Sequence, residues 1–228
     1  MAYNENKKPS SQSIEYVDPG EPHMLLLLLL DTSGSMHDNG KIESLNAGVQ
    51  KFIQEMQEDD VTSRRVEVCI IEFNSSVNQV YPFTPVRKIT APTLVAQGVT
   101  HMGEGIQAAI DAVRNRITFL DTEGIEIYKP WIFMITDGFP CGESDSALND
   151  AAKRVKRESE MSHLKFFSLG MDDANDAQLK EFSDNVFRLT NYSFNGIFDW
   201  LTKSMVAISN SIVGTSLNIS APAGVSIQ

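Results

Sequence analysis

The sequence predicts an α/β fold: a doubly wound, mostly parallel six-stranded sheet with one antiparallel edge strand and helices on both faces (the Rossmann-like class). Three observations carry this. Met24-Leu25-Leu26-Leu27-Leu28-Leu29-Leu30 is an unbroken apolar run that stops at Asp31 and a Ser/Gly-rich stretch, the pattern of a strand covered on both faces. Trp131-Ile132-Phe133-Met134-Ile135 is a second such run, and Thr136-Asp137-Gly138 ends it. Between and after these runs, strand and helix patterns alternate, and right-handed crossovers wind such a chain into a parallel sheet. At about 3.3 Å per residue the leucine run spans about 23 Å. Each fully buried leucine contributes about 1.5–3 kcal/mol, so this strand belongs at the centre of the sheet.

Residues 1–22 are polar, hold Pro9, Pro19, Gly20 and Pro22, and read as a mobile tail or strap. The domain proper is expected over 23–212, with a small, polar C-terminal tail at 213–228. After the leucine strand, Asn39-Gly40 closes a loop before a helix at 41–57. Ile42, Leu45, Val49, Phe52, Ile53 and Met56 form its apolar face, while Lys41, Glu43, Gln50, Lys51 and Glu55 are placed in solvent. Val66, Val68, Ile70 and Ile71 mark a second strand, and Asn74-Ser75-Ser76 turns it into a third at 77–81. So short a connection permits only an antiparallel hairpin, and Pro82 makes its second strand an edge. Residues 84–99 carry Pro85, Pro92 and Gly98 and suit irregular chain with at most a short helix.

A helix follows Gly105, with Ile106, Ala109, Ile110, Val113 and Ile117 on one stripe. After the Trp131 strand come a helix at 146–161, a strand at 164–169, a short helix at 177–182 and a strand at 186–189. The last helix, 195–212, uses Ile197, Trp200, Leu201, Met205, Ile208 and Ile212 as its apolar face. Lys153, Arg154, Lys156 and Arg157 form a solvated face of the helix at 146–161.

Composition excludes several functions. With 19 Lys plus Arg against 30 Asp plus Glu, the net charge of −11 argues against a nucleic-acid backbone or an anionic membrane as partner. Seven apolar residues cannot span a bilayer, and the acids among residues 1–23 do not suit a secretory leader. Cys69 and Cys141 are far apart and in no metal-binding spacing, which suggests free thiols and a cytoplasmic setting.

The chemistry gathers at strand ends. Asp31, Ser33 and Ser35 follow the leucine strand, Thr100 lies in the loop before a helix, and Asp137 follows the Trp131 strand. If the two strands are neighbours at the topological switch point, Asp31 and Asp137 face each other across the crevice where open α/β sheets bind ligands. Oxygen donors alone select a hard cation, Mg²⁺ first. Hydroxyls leave that cation with net positive charge, open to an external carboxylate. Asp and Ser after strands also serve as helix caps, so DxSxS alone is weak. His37 and His101 near the rim suit solvent better than Mg²⁺, and Glu104 suits the start of a helix dipole.

Asp31-Thr32-Ser33-Gly34-Ser35, Thr100 and Asp137-Gly138 together resemble the metal-ion-dependent adhesion site of von Willebrand factor type A (vWA) domains, over roughly residues 22–212. Within that family, the Asp31–Met36 stretch, residues 73–85 and Ile135-Thr136-Asp137-Gly138-Phe139-Pro140 look most like bacterial cytosolic TerY-type proteins of tellurium-resistance and stress operons. The resemblance implies Ser33, Ser35 and Thr100 as direct ligands, with Asp31 and Asp137 acting through waters. It implies Mg²⁺, with Mn²⁺ or Ca²⁺ as substitutes, and a protein partner whose Asp or Glu completes the shell. It also implies a last helix able to shift with the metal's ligands. Val99 stands where the family often has glycine, and the loop from Met36 to Gly40 is slightly long. Thr32 and Gly34 serve turn geometry.

The alternatives are a Mg²⁺-dependent phosphohydrolase using Asp31, or a scaffold with an incidental ion. The first lacks an acid two positions after Asp31, where Ser33 stands. No GxxxxGK[ST] loop and no evident His base for a serine support other hydrolytic chemistry. A non-enzymatic, metal-dependent protein-interaction module is the expected function.

Overall fold

A computed structural model describes residues 20–171, 174–189, 194–217 and 226–227. The tails expected at 1–22 and 213–228 therefore fall largely outside the described residues. In chain order the elements are β1 (Met24–Asp31), α1 (Lys41–Glu58), α2 (Asp60–Arg65), β2 (Val66–Phe73), β3 (Val77–Pro85), α3 (Met102–Thr122) and β4 (Trp131–Thr136). They continue with α4 (Asp145–Glu160), β5 (Lys165–Met171), α5 (Asp176–Phe182), β6 (Asn185–Leu189), α6 (Asn195–Ser209) and β7 (Ser226–Ile227).

The strands lie in the order β3-β2-β1-β4-β5-β6-β7. β2, β1, β4, β5 and β6 are parallel, and β3 closes one edge antiparallel to β2. This is the expected sheet. The two-residue β7, antiparallel to β6, is an addition at the other edge in a stretch with no clear period. Every residue from Met24 to Leu30 is fully buried because alternate side chains enter two different cores. Leu26, Leu28 and Leu30 belong to the core that α1 and α6 cover, whereas Leu25, Leu27 and Leu29 belong to the core that α3, α4 and α5 cover. Strand order reverses between β1 and β4, which pair from Leu26↔Trp131 to Leu30↔Ile135, so their carboxyl ends flank the crevice.

α1 and α6 approach closely at Gly48, where an added Cβ would stand 2.6 Å from the Phe198 ring and 3.0 Å from Phe194 Cβ. At the amino ends of β1 and β2, Glu67 is buried between His23 (2.7 Å) and Arg116, which donates from Nε and a terminal nitrogen at 2.7 and 2.8 Å.

Further details differ from the sequence expectation, among them the start of α3 at Met102 rather than after Gly105. α2 was not anticipated; Asp59 caps it by accepting from Thr62 N at 2.7 Å. β3 continues past Pro82 to Pro85, because residues 81–84 of β3 oppose 68–70 of β2, and the extra residue at this bulge accommodates a proline at the edge. α6 ends at Ser209 rather than 212, and Ile212 is 80% exposed. Asn210 Nδ2 donates to Val206 O at 2.9 Å and Ser211 Oγ to Ile208 O at 2.7 Å, so polar side chains take the last carbonyls and end the helix.

Candidate metal centre

β1 delivers Asp31 to the crevice with no exposed surface. One carboxylate oxygen accepts from Ser33 N at 2.8 Å and the other from Thr136 Oγ1 at 2.6 Å. Burial pushes this carboxyl up to about 6, against the opposing pull of the Ser33 and Thr136 hydrogen bonds; the nearby Asp137 adds to the rise. The turn is held by its backbone. Thr32 N donates to Phe73 O, Gln97 N to Thr32 O, and Gly34 N to Gly98 O at 3.0 Å. An added Cβ on Gly34 would lie 3.2 Å from Gly98 O, which is why the residue between the two serines is small. Thr32 and Gly34 thus have the turn roles expected of them.

The hydroxyls converge on β4. Ser33 Oγ lies 3.1 Å from Ser35 Oγ, and Ser35 Oγ donates to Asp137 Oδ1 at 2.7 Å. Thr100 is tied to the loop after β4 by paired backbone bonds with Cys141, at 3.1 and 2.9 Å. A Cβ added to Gly138 would stand 3.6 Å from Ser35 Oγ and 3.9 Å from Thr100 Oγ1, so both hydroxyls border the same small cradle. All of the sequence-predicted site residues line or floor this crevice. Ser33, Ser35, Thr100 and Asp137 line a concavity of about 500 Å³, together with Asp38, Val99, Phe139 and Cys141. Asp31 lies beneath it.

Two participants were missed. Thr136 braces Asp31, as above. Lys41, expected in solvent, is only 5% exposed, and its ammonium is paired with Asp137 Oδ2. The reason is geometric: α1 starts at the carboxyl edge of the sheet, and Lys41 falls at i−4 and i−8 from the buried Leu45 and Val49. That periodicity was the available signal. At the rim, His37 is exposed, and His101 Nδ1 lies 3.2 Å from Glu104. Glu143 accepts from the Gly103 and Glu104 amides, taking the first-turn role on α3 that Glu104 was expected to fill.

Among the described residues, no cluster of three or more His, Cys, Asp or Glu could hold a metal. The donors are instead hydroxyls with two carboxylates. That oxygen-only set fits a hard divalent cation and not a thiolate- or imidazole-bound one.

The family model of the von Willebrand factor type A domain matches residues 26–200. The chain belongs to this family. None of the curated proteins compared with it matches. Among solved structures, the vWF domain of a type V pili tip protein from Porphyromonas gingivalis is similar, with a TM-score of 0.63 and 12% identity over 86% of this chain and 99% of that one. The pilus adhesin SpaC from Lactobacillus rhamnosus GG gives a TM-score of 0.63 at 16% identity, over 82% of this chain but only 31% of that one. Proximal thread matrix protein 1 from the mussel byssus, solved with a zinc-occupied MIDAS motif, gives 0.55 at 15% identity, over 82% and 48% of the respective chains. At such identities the likeness is one of fold. This vWA chain spans less than half the length of the last two.

Proposed function

We propose that this vWA domain is a non-enzymatic, divalent-metal-dependent protein-binding module. The observation that carries the reading is the convergence of separate chain segments on one oxygen-lined cradle, through the Ser33–Ser35–Asp137 hydrogen-bonded chain and the Thr100 hydroxyl beside Gly138. Ser33, Ser35 and Thr100 would hold the ion directly, and Asp31 and Asp137 through waters. Mg²⁺ is the expected ion, with Mn²⁺ or Ca²⁺ substituting. When bound, it supplies a Lewis-acidic position for a carboxylate from outside.

The chain's own residues do the rest. Asp31 anchors the turn that presents Ser33 and Ser35, Gly34 lets that turn approach the Gly98 carbonyl, and Gly138 keeps the cradle open. The partner is a protein presenting Asp or Glu. The pilus and byssus proteins of similar fold fit an interaction role. The motif resemblance points further, to a TerY-like role in a bacterial stress or tellurium-resistance complex, and free Cys69 and Cys141 support a cytoplasmic setting. No described helix is long and apolar enough to cross a membrane.

The test is a pull-down from native cytosol with wild-type protein in Mg²⁺, wild-type in EDTA, and Asp31→Ala in Mg²⁺. A partner retained only by wild type in Mg²⁺ is expected. The same partners in all three samples would move binding to another surface, and phosphatase turnover lost on Asp31→Asn would overturn the non-enzymatic assignment.

A further inference from the structure

The pairing of Lys41 with Asp137 bears on how strongly the site holds its ion. Lys41 is the first residue of α1, with its backbone fixed by the left-handed Asn39 and Gly40 (φ 55° and 71°) that precede it. Its side chain is buried, so the ammonium is held at the site and not sampled from solvent. It takes Asp137 Oδ2 while Ser35 Oγ takes Oδ1. One of the two acids of the candidate metal centre is therefore already neutralised by a cation of the same chain.

Resting on the reading that this cradle takes a divalent cation, we infer that Lys41 is an affinity-setting residue, a tethered cation that opposes the metal for Asp137 and keeps the loaded site electropositive. The charge balance decides the direction. Among the proposed ligands and Lys41, Asp31 and Asp137 contribute two negative charges and Lys41 one positive, so a divalent ion leaves this inner set with net charge +1; the exposed Asp38 on the wall of the concavity is common to wild type and every Lys41 variant. Without Lys41 the loaded inner set would be neutral. A buried ammonium near a divalent ion repels it through a low-dielectric medium, so the ion binds more weakly than two carboxylates alone would allow. The same surplus charge favours an incoming carboxylate. Lys41 thereby shifts retention of the ion from the protein alone toward the protein with its acidic partner.

The probe is Mn²⁺ alone, titrated into the 228-residue chain by calorimetry and by the electron paramagnetic resonance of free Mn²⁺. Lys41→Met should bind Mn²⁺ at least about tenfold more tightly than wild type. Its midpoint of thermal unfolding in EDTA should fall, because Asp137 loses its partner, and Mn²⁺ should restore it. Lys41→Gln, which removes the charge but retains a donor for Asp137, should also tighten binding and serves if the methionine variant does not fold. Lys41→Arg should bind like wild type. Unchanged or weaker Mn²⁺ binding in both neutral variants would overturn the inference while leaving the metal centre standing. Failure of every protein to bind Mn²⁺ would overturn the metal reading itself.

Discussion

Replacing Asp31 by Asn separates what the site costs from what it does. Asp31 is fully buried, and burial raises its carboxyl from the ordinary 3.8 to about 6. At about 1.4 kcal/mol per tenfold change in proton affinity, ionised Asp31 therefore costs the metal-free fold about 3 kcal/mol at neutral pH. The sign follows from the direction of the shift. The folded protein holds this proton more tightly than the unfolded chain, so between pH 3.8 and about 6 folding stability falls as pH rises. Above that window the whole cost is present; below it there is none. Asparagine keeps an oxygen for Ser33 N and brings an amide that can donate to Thr136 Oγ1, so the turn survives without the charge. In EDTA at pH 7.5, Asp31→Asn should be more stable than wild type by about 2–3 kcal/mol, raising the unfolding midpoint by about 5–10 °C. The gap should close as the pH is lowered towards 4. Saturating Mg²⁺ should stabilise wild type only, because ligand binding stabilises only a fold that binds it. Urea unfolding of both proteins at pH 4, 6 and 7.5, with and without Mg²⁺, measures all of this. A variant less stable than wild type in EDTA at every pH would refute the reasoning, for the hydrogen bonds to the carboxylate would then outweigh its desolvation.

The remaining predictions concern the cradle and the two ends of the sheet. Gly138→Ala places a methyl group against Ser35 Oγ and Thr100 Oγ1 at ordinary contact distance, so unfolding should change little while Mn²⁺ affinity drops. Gly48→Ala drives a Cβ into Phe198, which Phe52 and Phe194 hold at centroid distances of 5.4 and 6.0 Å; overpacking outweighs the gain in helix propensity, and a net loss of about 1–2 kcal/mol is expected by denaturant unfolding. Arg116→Met leaves Glu67 buried with half its partners removed and should cost about 3–5 kcal/mol with Mg²⁺ binding unchanged, checked by unfolding and calorimetry. Burial alone would raise the Glu67 carboxyl, but His23 and Arg116 together hold it below its ordinary 4.5; its contribution to stability is thus present above that value and lost as pH falls through the lowered one, so Glu67→Gln should flatten the acid limb of the wild-type stability profile.

How much of this was legible in the sequence depended on whether the signal was local. The leucine run, the Trp131 run and the acids that end them sit in contiguous stretches, and burial on both faces follows from composition alone. Asn39-Gly40 and Pro82 mark backbone constraints that no tertiary contact needs to supply. The DxSxS turn was legible because its acid and two hydroxyls lie within five residues at the end of a strand, whereas the contact of Gly34 with the distant Gly98 carbonyl was not. The end of α6 was not. Ile212 continues the apolar period, but Asn210 and Ser211 compete for the helix's last carbonyls, and periodicity carries no record of that competition.

Lys41 and Thr136 were harder to read for a different reason, and it bears on the chemistry: the period of α1 could turn Lys41 inward but could not name its partner. Each has a bland local reading, a lysine at the start of an amphipathic helix and a threonine at the end of a strand, and each acquires its role only when β1 and β4 become neighbours. Thr136 then donates to Asp31 across the switch point, and Lys41 is carried onto Asp137 by a helix whose first turn lies at the same sheet edge. Both contacts stabilise an acid that the fold has removed from water. A site meant to bind a cation needs acids that are poor at holding a proton yet not so strongly solvated that they ignore the ion, and burial alone achieves only the second. The hydroxyl on Asp31 offsets part of the effect of its burial, and the Ser35 hydroxyl and the Lys41 ammonium fix the position of Asp137 before any ion arrives. If the cradle takes a divalent ion, the same ammonium would oppose it, and the strength of metal binding would then depend on Lys41 as well as on the residues that touch the metal.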